Sequence, residues 1–224
     1  MLADKLELAL RPPETAMPPY PPKYITLASG EKMVVHQVGR KEVPVLLETI
    51  RPLLTVARDF YDVVAARFYA ELLGWMRYRV KDEYCLVGTI DGEIVGLVNG
   101  RMVDGKLGMS YHTIAIKRGL RVGAHLFAAK MEYHMEYLGE EEVYIVAESP
   151  IGYRRWMIEY ELEPRPHVWH ELGGVPTHVL TQPLWQKHKG RLCTGRRPVP
   201  PELLEKAKEM RLPSEYPQIP GFKR

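Results

Sequence analysis

The chain has 224 residues, of which 46% are hydrophobic and 26% charged, with a formal charge of +3. That length supports one substantial core, and the composition is that of an ordinary globular protein. No apolar run approaches the roughly 20 residues a membrane helix needs, and two cysteines, Cys85 and Cys193, make neither a disulfide framework nor a zinc site.

The N-terminal stretch "MLADKLELALRPPET" mixes acids with short apolar runs and lacks a secretory apolar core, so a cytoplasmic location is the expectation. Residues 11–22, "RPPETAMPPYPP", carry six prolines and read as an extended arm. "KYITLASGEKMVVHQVG" follows as two β-prone runs around Ser29-Gly30, a hairpin. From Lys41 to about Leu73, apolar residues recur every three or four positions, with Pro52 dividing the helical stretch in two and Gly74 as its stop.

Three β runs come next. "EYCLVGTI" and "EIVGLVNGRMV" flank Asp91-Gly92, and "LGMSYHTIAI" follows Asp104-Gly105, which predicts an antiparallel meander with tight turns. The segment "IAIKRGLRVGAHLF" then passes into a helix with Val122, Leu126, Ala129 and Tyr133 on one face, ending near Gly139. "EEVYIVAE" reads as a buried strand, "GYRRWMIEYEL" as a short helix, and "HVWHEL" and "THVLTQPL" as two final strands. An amphipathic helix over 201–211 stops before Pro213. The strand–helix–strand passage requires a crossover, so the fold class is α/β (α+β mixed): a central mixed sheet flanked by helices. The expected division is an arm over 1–32 with an extra strand, a domain over 33–184, and a basic extension over 185–224. That extension holds ten Lys/Arg against four Asp/Glu, whereas the rest holds 21 against 24. A basic tail can meet nucleic acid, but a solvated segment is the reading favoured here, and no membrane partner is expected.

The strand-to-helix junction carries the chemistry. A helix start offers unpaired N–H groups and the positive end of its dipole, glycines allow close approach, and arginines add forked donors. Arg118, Gly119, Arg121, Gly123 and Ala124 supply this set at the end of a strand, which suits a phosphate-bearing ligand.

The order of elements from about Met33 to Leu184 resembles the GNAT superfamily of N-acetyltransferases. In that family a strand runs into Q/R-x-x-G-x-G/A, whose backbone amides hold the pyrophosphate of coenzyme A. Here the corresponding run is Arg118 to Gly123, with Arg121 where the first glycine stands and a shortened loop after Ile116. The resemblance implies that Ile114, Ala115, Ile116, Arg118, Gly119, Leu120, Arg121, Val122, Gly123 and Ala124 bind acetyl-CoA. A later family signature, N-x-x-A-x-x-[LF]-Y-x-x-x-G-F, falls on Pro150, Tyr153, Trp156, Met157, Glu161 and Leu162. Met157 occupies the place of a tyrosine that, in many members, protonates the leaving thiolate.

Three residues are candidates for the proton transfers that acyl transfer requires. Glu148 follows "YIVA" at the carboxyl end of a strand, where α/β sheets place sites, though a cap or salt bridge would explain it equally. His112 shares a strand face with Ile114 and Ile116 and has a suitable unperturbed pKa; Tyr111 faces the other way. Tyr153 stands four residues before Met157 on a helix and so could replace the missing acid, or pack with Trp156. His167, His170 and Glu171 alternate between faces and form a poor metal set. Cys193 lies among cations that would lower its pKa, and Trp75-Met76 either lines an acceptor pocket or closes the core.

The expected function is transfer of an acetyl group from acetyl-CoA to an amine, on a small molecule or a protein, by direct attack. The alternative is an inactive module that binds coenzyme A or a nucleotide as a sensor or interaction protein. A homodimer through the last strands or the tail is a further expectation.

Overall fold

The computed structural model describes residues 2–217; Met1 and residues 218–224, which end the expected basic extension, lie outside the described residues. Helix α1 (Leu2–Ala9) precedes the proline-rich arm, which forms no helix or strand before β1 (Lys23–Thr26). Strand β1 turns at Gly30, whose φ of +86° suits glycine, into β2 (Lys32–Val38). Two helices follow, α2 (Val43–Ile50) and α3 (Tyr61–Met76). Pro52 stands in the 3-10 turn of Arg51–Thr55 that separates them, as its missing N–H dictates.

The meander forms as β3 (Glu83–Ile90), β4 (Glu93–Met102) and β5 (Leu107–Ala115). Asp91 and Gly92 both have positive φ, 46° and 82°, the conformation of a type I′ hairpin. At the next turn the Asp104 carboxylate accepts N–H bonds from Lys106 and Leu107 at 2.8 and 3.0 Å. Helix α4 (Val122–Glu132), continued by a π-helical turn over Tyr133–Tyr137, carries the chain back so that β6 (Glu142–Ile145) lies parallel to β5. A short α5 (Pro150–Gly152) continues as a π-helix over Tyr153–Ile158. Strands β7 (Glu163–Pro164) and β8 (His178–Thr181) and helices α6 (Gln182–Leu192) and α7 (Pro201–Glu209) complete the chain. The eight strands lie in the order β1-β2-β3-β4-β5-β6-β8-β7, antiparallel except for β5 and β6.

Two faces of this sheet are covered. On one, Val87, Leu97 and Ile114 pack against Leu46, Phe68 and Leu72 of α2 and α3; on the other, Leu86, Val98 and Tyr84 pack against Leu126 and Tyr133 of α4. The alternation of neighbours between the two clusters is the period-2 pattern of a strand buried on both sides. Glycines let α4 approach: a Cβ on Gly96 would lie 2.8 Å from Leu126 Cδ1 and 2.7 Å from the Ile114 carbonyl. Trp75 is buried in the first cluster, so it closes the core.

Two expectations are corrected. Residues 167–172 form turns and not a strand: His170 caps its own loop by accepting the Leu172 N–H, and Glu171 is drawn into a pair with Arg101. The strand ending "THVLTQPL" gives way to α6 at Gln182, with Pro183 in the first turn, where its missing N–H costs nothing. The 184/185 division therefore falls inside a helix, and Trp185 is buried in a third core cluster. Among the described residues no helix is long and apolar enough to cross a membrane.

Both ends of the chain are tied to α4 by Glu132. Its carboxylate takes the Tyr20 hydroxyl at 2.6 Å, the buried Lys23 ammonium at 2.9 Å and two Arg197 nitrogens at 3.0 Å. Lys23 also contacts Cys193 Sγ at 3.2 Å. Burial pushes the Cys193 thiol up, against the pull of Lys23, so the expected acidic cysteine is not found. For Glu132, burial alone would raise the carboxyl, but Arg197, Lys23 and Tyr20 more than offset it and hold it at about 2. A depressed carboxyl stabilises the fold above its usual value near 4.5 and loses that contribution as pH falls toward 2. Glu132→Gln is therefore expected to cost about 2 kcal/mol at pH 7, discounted for solvent screening, and almost nothing near pH 2. Urea titrations of both proteins at the two pH values measure this difference.

Candidate functional site

Strands β5 and β6 pair only from Leu107↔Glu142 to Ser110↔Ile145. Beyond that register β5 runs on to Ala115 while β6 has ended, and the two chains part. The parting coincides with an irregularity in the β4·β5 ladder: Val98 pairs with Thr113 and Gly100 with Ser110, so Asn99 faces both Tyr111 and His112. An extra residue of this kind bends a strand and re-aims its side chains. Asn99 fixes the bulge, taking the His112 N–H at 2.9 Å and donating to Glu83 at 2.8 Å.

A cleft of about 290 Å³ opens where the strands part. Its floor is β5, with Thr113, Ile114 and Ala115; one wall is the junction, with Arg118, Gly119, Arg121, Val122, Gly123 and Ala124. The opposite wall holds Val146, Glu148 and Ser149 after β6, and Arg155 and Trp156. Ile116 and Leu120 do not line it: Ile116 is buried in the core below, and Leu120 packs on the other side.

The junction leaves backbone donors free beside three arginines. The His125 N–H makes the bond to Arg121 O that starts the helix, which leaves the N–H groups of Val122, Gly123 and Ala124 without helical partners. Gly119 has φ of +85° and no atom within 4 Å of a Cβ position, so its backbone is open to approach. Arg121, in the place of the family's first glycine, has φ of +59°. Glu161, in the place of the later motif's glycine, has φ of +54°. Both positions thus keep the left-handed backbone that glycine serves, at a cost of roughly 1 kcal/mol each for a side-chain-bearing residue. Arg118 pairs with Asp59 at 2.6 Å, and Arg121 and Arg155 share Glu159 at 3.2 and 2.6 Å. Tyr61 donates its hydroxyl to the Ala115 carbonyl, which shows that this edge of β5 faces the cleft.

Coenzyme A fits this set of groups. The free N–H groups and three guanidinium ions match a pyrophosphate, and the unpaired edge of β5 can bond the amides of a pantetheine arm.

Of the residues expected to move protons, Glu148 and His112 meet at the cleft and Tyr153 does not. The Glu148 side chain is 15% exposed and paired with Arg67; burial raises its carboxyl, with Arg67 pulling the other way. His112 is buried beside Phe68, with both ring nitrogens lacking a partner. Burial first, with lesser contributions from Lys130 and Arg67, holds its imidazole well below the usual value, so the ring is neutral at pH 7. Lys130 itself is buried and donates to the His112 carbonyl at 3.1 Å. Tyr153 is 47% exposed and its ring lies against His178, outside the cleft. The π-helical winding of 153–158 is the reason: a four-residue step no longer stacks on one face there, so Tyr153 points away while Met157 is buried. Tyr160 is core, edge-on to Phe127 at 5.4 Å.

Sequence reasoning missed Tyr61 and Tyr111, the two tyrosines that do line the cleft. Strict alternation puts Tyr111 on the opposite face, and the bulge opposite Asn99 interrupts that alternation. Its hydroxyl donates to Glu171, which also pairs with Arg101 at 2.7 Å.

Glu161→Gly and Arg121→Gly are each expected to stabilise the fold by up to about 1 kcal/mol through relief of the left-handed backbone, less what each loses with its exposed ion pair, Glu161 with Lys187 and Arg121 with Glu159. Thermal melts of the two variants at low and high salt separate the two contributions.

No family model matches the sequence, and no curated protein matches it either. Solved structures do. An uncharacterized protein from Bacillus halodurans aligns over 77% of this chain and 96% of its own, with a TM-score of 0.56 at 11% identity. The GNAT domain of PAT from S. lividans aligns over 71% and 96%, with a TM-score of 0.49 at 12% identity. Spermidine N-acetyltransferase from Vibrio cholerae, in complex with CoA and spermine, aligns over 69% and 98%, with a TM-score of 0.48 at 13% identity. With its mixed sheet and its β5 and β6 parting at a bulge beside the start of α4, the chain shares its fold with the Bacillus halodurans protein.

Proposed function

We propose that the protein is an N-acetyltransferase that binds acetyl-CoA in the cleft between β5 and β6 and transfers its acetyl group to an amine. The observation that carries this reading is the coincidence of three features in one cleft: an unpaired strand edge, a cationic helix-start cradle, and a half-buried carboxylate.

Acetyl-CoA would supply an activated acyl carbonyl. The backbone of Gly119 and the free N–H groups opening α4, with Arg118, Arg121 and Arg155, would hold its pyrophosphate. The edge of β5 at Thr113 and Ala115 would align the pantetheine arm, with Tyr61 yielding the Ala115 carbonyl. Glu148 is the base: its burial favours the protonated form, which makes it a better acceptor of the amine proton than an exposed glutamate. The amine nitrogen bonds to the acetyl carbon as the carbon–sulfur bond breaks, and the nitrogen's proton passes to Glu148. The phenols of the cleft, Tyr61 and Tyr111, already donate to Ala115 and Glu171, so neither stands free to protonate the thiolate. In this reading that proton comes from water.

A second reading rests on Met157. Its side chain is buried, 3% exposed, where many GNAT enzymes have an acidic phenol, and this favours a module that binds CoA without transferring acetyl.

Calorimetry with CoA and acetyl-CoA, followed by thiol release in an amine panel, separates the two. The transferase reading expects binding of both and turnover with at least one amine; binding without turnover across primary amines, polyamines and N-terminal peptides supports the module. Glu148→Gln is expected to lower kcat by about 10²-fold or more, and Tyr153→Phe to leave it unchanged. Because Glu148 must be ionised to act and its carboxyl is raised, kcat should climb with pH through a value above the usual 4.5, and the Gln variant should lack that limb. Equal pH profiles for the two proteins would remove Glu148 from the role of base.

A further inference from the structure

A second cavity, about 140 Å³, adjoins the cleft on the far side of Arg121; the two share Arg121 and Ala124. Its remaining walls come from α4, from the turn after the π-helix of 153–158, and from the end of α6, with His125, Tyr160, Arg191 and Thr194 facing it. Three guanidinium ions stand around it or beside it, against one carboxylate. Glu159 serves Arg121 and Arg155, and Arg191 donates only to the Glu159 backbone carbonyl, at 2.7 Å, with His188 Nδ1 at 3.4 Å. Among the described residues Arg191 makes no ion pair with a carboxylate. The surplus is therefore positive and is placed by two separate helices.

An independent observation points to a ligand with acceptor atoms. Tyr160 is 2% exposed, its hydroxyl has no hydrogen-bond partner, and the residue lines the cavity. A buried hydroxyl left unpaired costs free energy, and an anion in the cavity would accept its hydrogen bond. Thr194 Oγ1 and His125 Nδ1, 3.3 Å apart, add further polar groups at the rim. The site is too small for a second cofactor. It is suited to one phosphate and part of the group carrying it, connected through Arg121 to whatever lies in the first cleft.

Coenzyme A has this form: beyond its pyrophosphate, the adenosine ribose carries a 3′-phosphate monoester. We infer that the cavity between α4 and α6 receives the 3′-phosphate of the CoA moiety, with Arg191, Arg121 and the Tyr160 hydroxyl as its ligands. The inference rests on the proposed binding of CoA and makes the protein selective for CoA over dephospho-CoA, which lacks only that phosphate. It also gives Arg121 a reason to remain arginine where glycine would be unstrained: its guanidinium stands between two phosphate positions.

The test is calorimetry of the full chain with CoA and with dephospho-CoA, at low and at high salt. Wild type is expected to bind CoA about tenfold or more tightly, the contrast shrinking with salt. Arg191→Gln, an exposed position, should weaken CoA about tenfold and leave dephospho-CoA within about twofold; Tyr160→Phe should do the same to a smaller degree. Equal affinity of wild type for the two ligands, or an equal loss for both in Arg191→Gln, overturns the 3′-phosphate site while leaving the CoA reading intact. Failure of both ligands to bind wild type overturns the CoA reading itself, and this inference with it.

Discussion

The site depends on one interruption of backbone pairing. A parallel ladder between β5 and β6 that continued past Ser110 and Ile145 would consume the edge of β5 and leave no cleft. Polar backbone groups do not stay unpaired in an interior without cost, so the parting has to be held open. The bulge opposite Asn99 bends β5 away, Asn99 itself is locked between His112 and Glu83, and Tyr61 occupies the Ala115 carbonyl. Burial raises the Glu83 carboxyl to about 8, so near neutrality much of it is protonated and this inner support carries little charge.

Around the mouth, backbone strain and charge are concentrated together. Asp59, Phe60, Arg121 and Glu161 all take left-handed conformations without being glycine. Two of them pair with the cations of the cradle or stand among them, Asp59 with Arg118 and Arg121 with Glu159. Strain of this kind persists only where surrounding structure over-determines it, and it gathers at ligand clamps. The carboxylates of Asp59 and Glu159 keep the guanidinium ions in place, and an incoming pyrophosphate would compete with them for the same donors.

The meander and its turns were legible because Asp-Gly turns, period-2 alternation and Pro52 act through local sterics. The junction was legible for the same reason: glycines and arginines at a strand-to-helix passage state their conformation and charge in a few residues. What was lost depended on geometry that no short window carries. The π-helical winding after Gly152 turned Tyr153 outward, and the bulge at Tyr111-His112 brought Tyr111 into the cleft against simple alternation. The expected strand at 167–172 failed because Glu171 answers to Arg101, 70 positions earlier. Cys193 was misread because its neighbours in sequence are cations, while its neighbours in space bury it. Arg121 and Glu161 are the instructive case: they stand where the resembled motifs carry glycine, and each has the left-handed backbone that glycine favours.

The knot at Glu132 bears on how the molecule comes together. Lys23 lies 170 positions from Cys193, and Arg197 reaches Pro21 across 176. Loop closure over such spans is entropically costly, and contacts of this separation form after the local hairpins and helices. During synthesis the arm therefore waits, β1 incompletely bordered and Lys23 without its full set of partners, until residues 193–197 emerge from the ribosome. The helix that completes this closure is the one whose other end forms a wall of the cleft. Assembly of the cleft and closure of the chain around Glu132 are in this way consequences of the docking of a single element, α4.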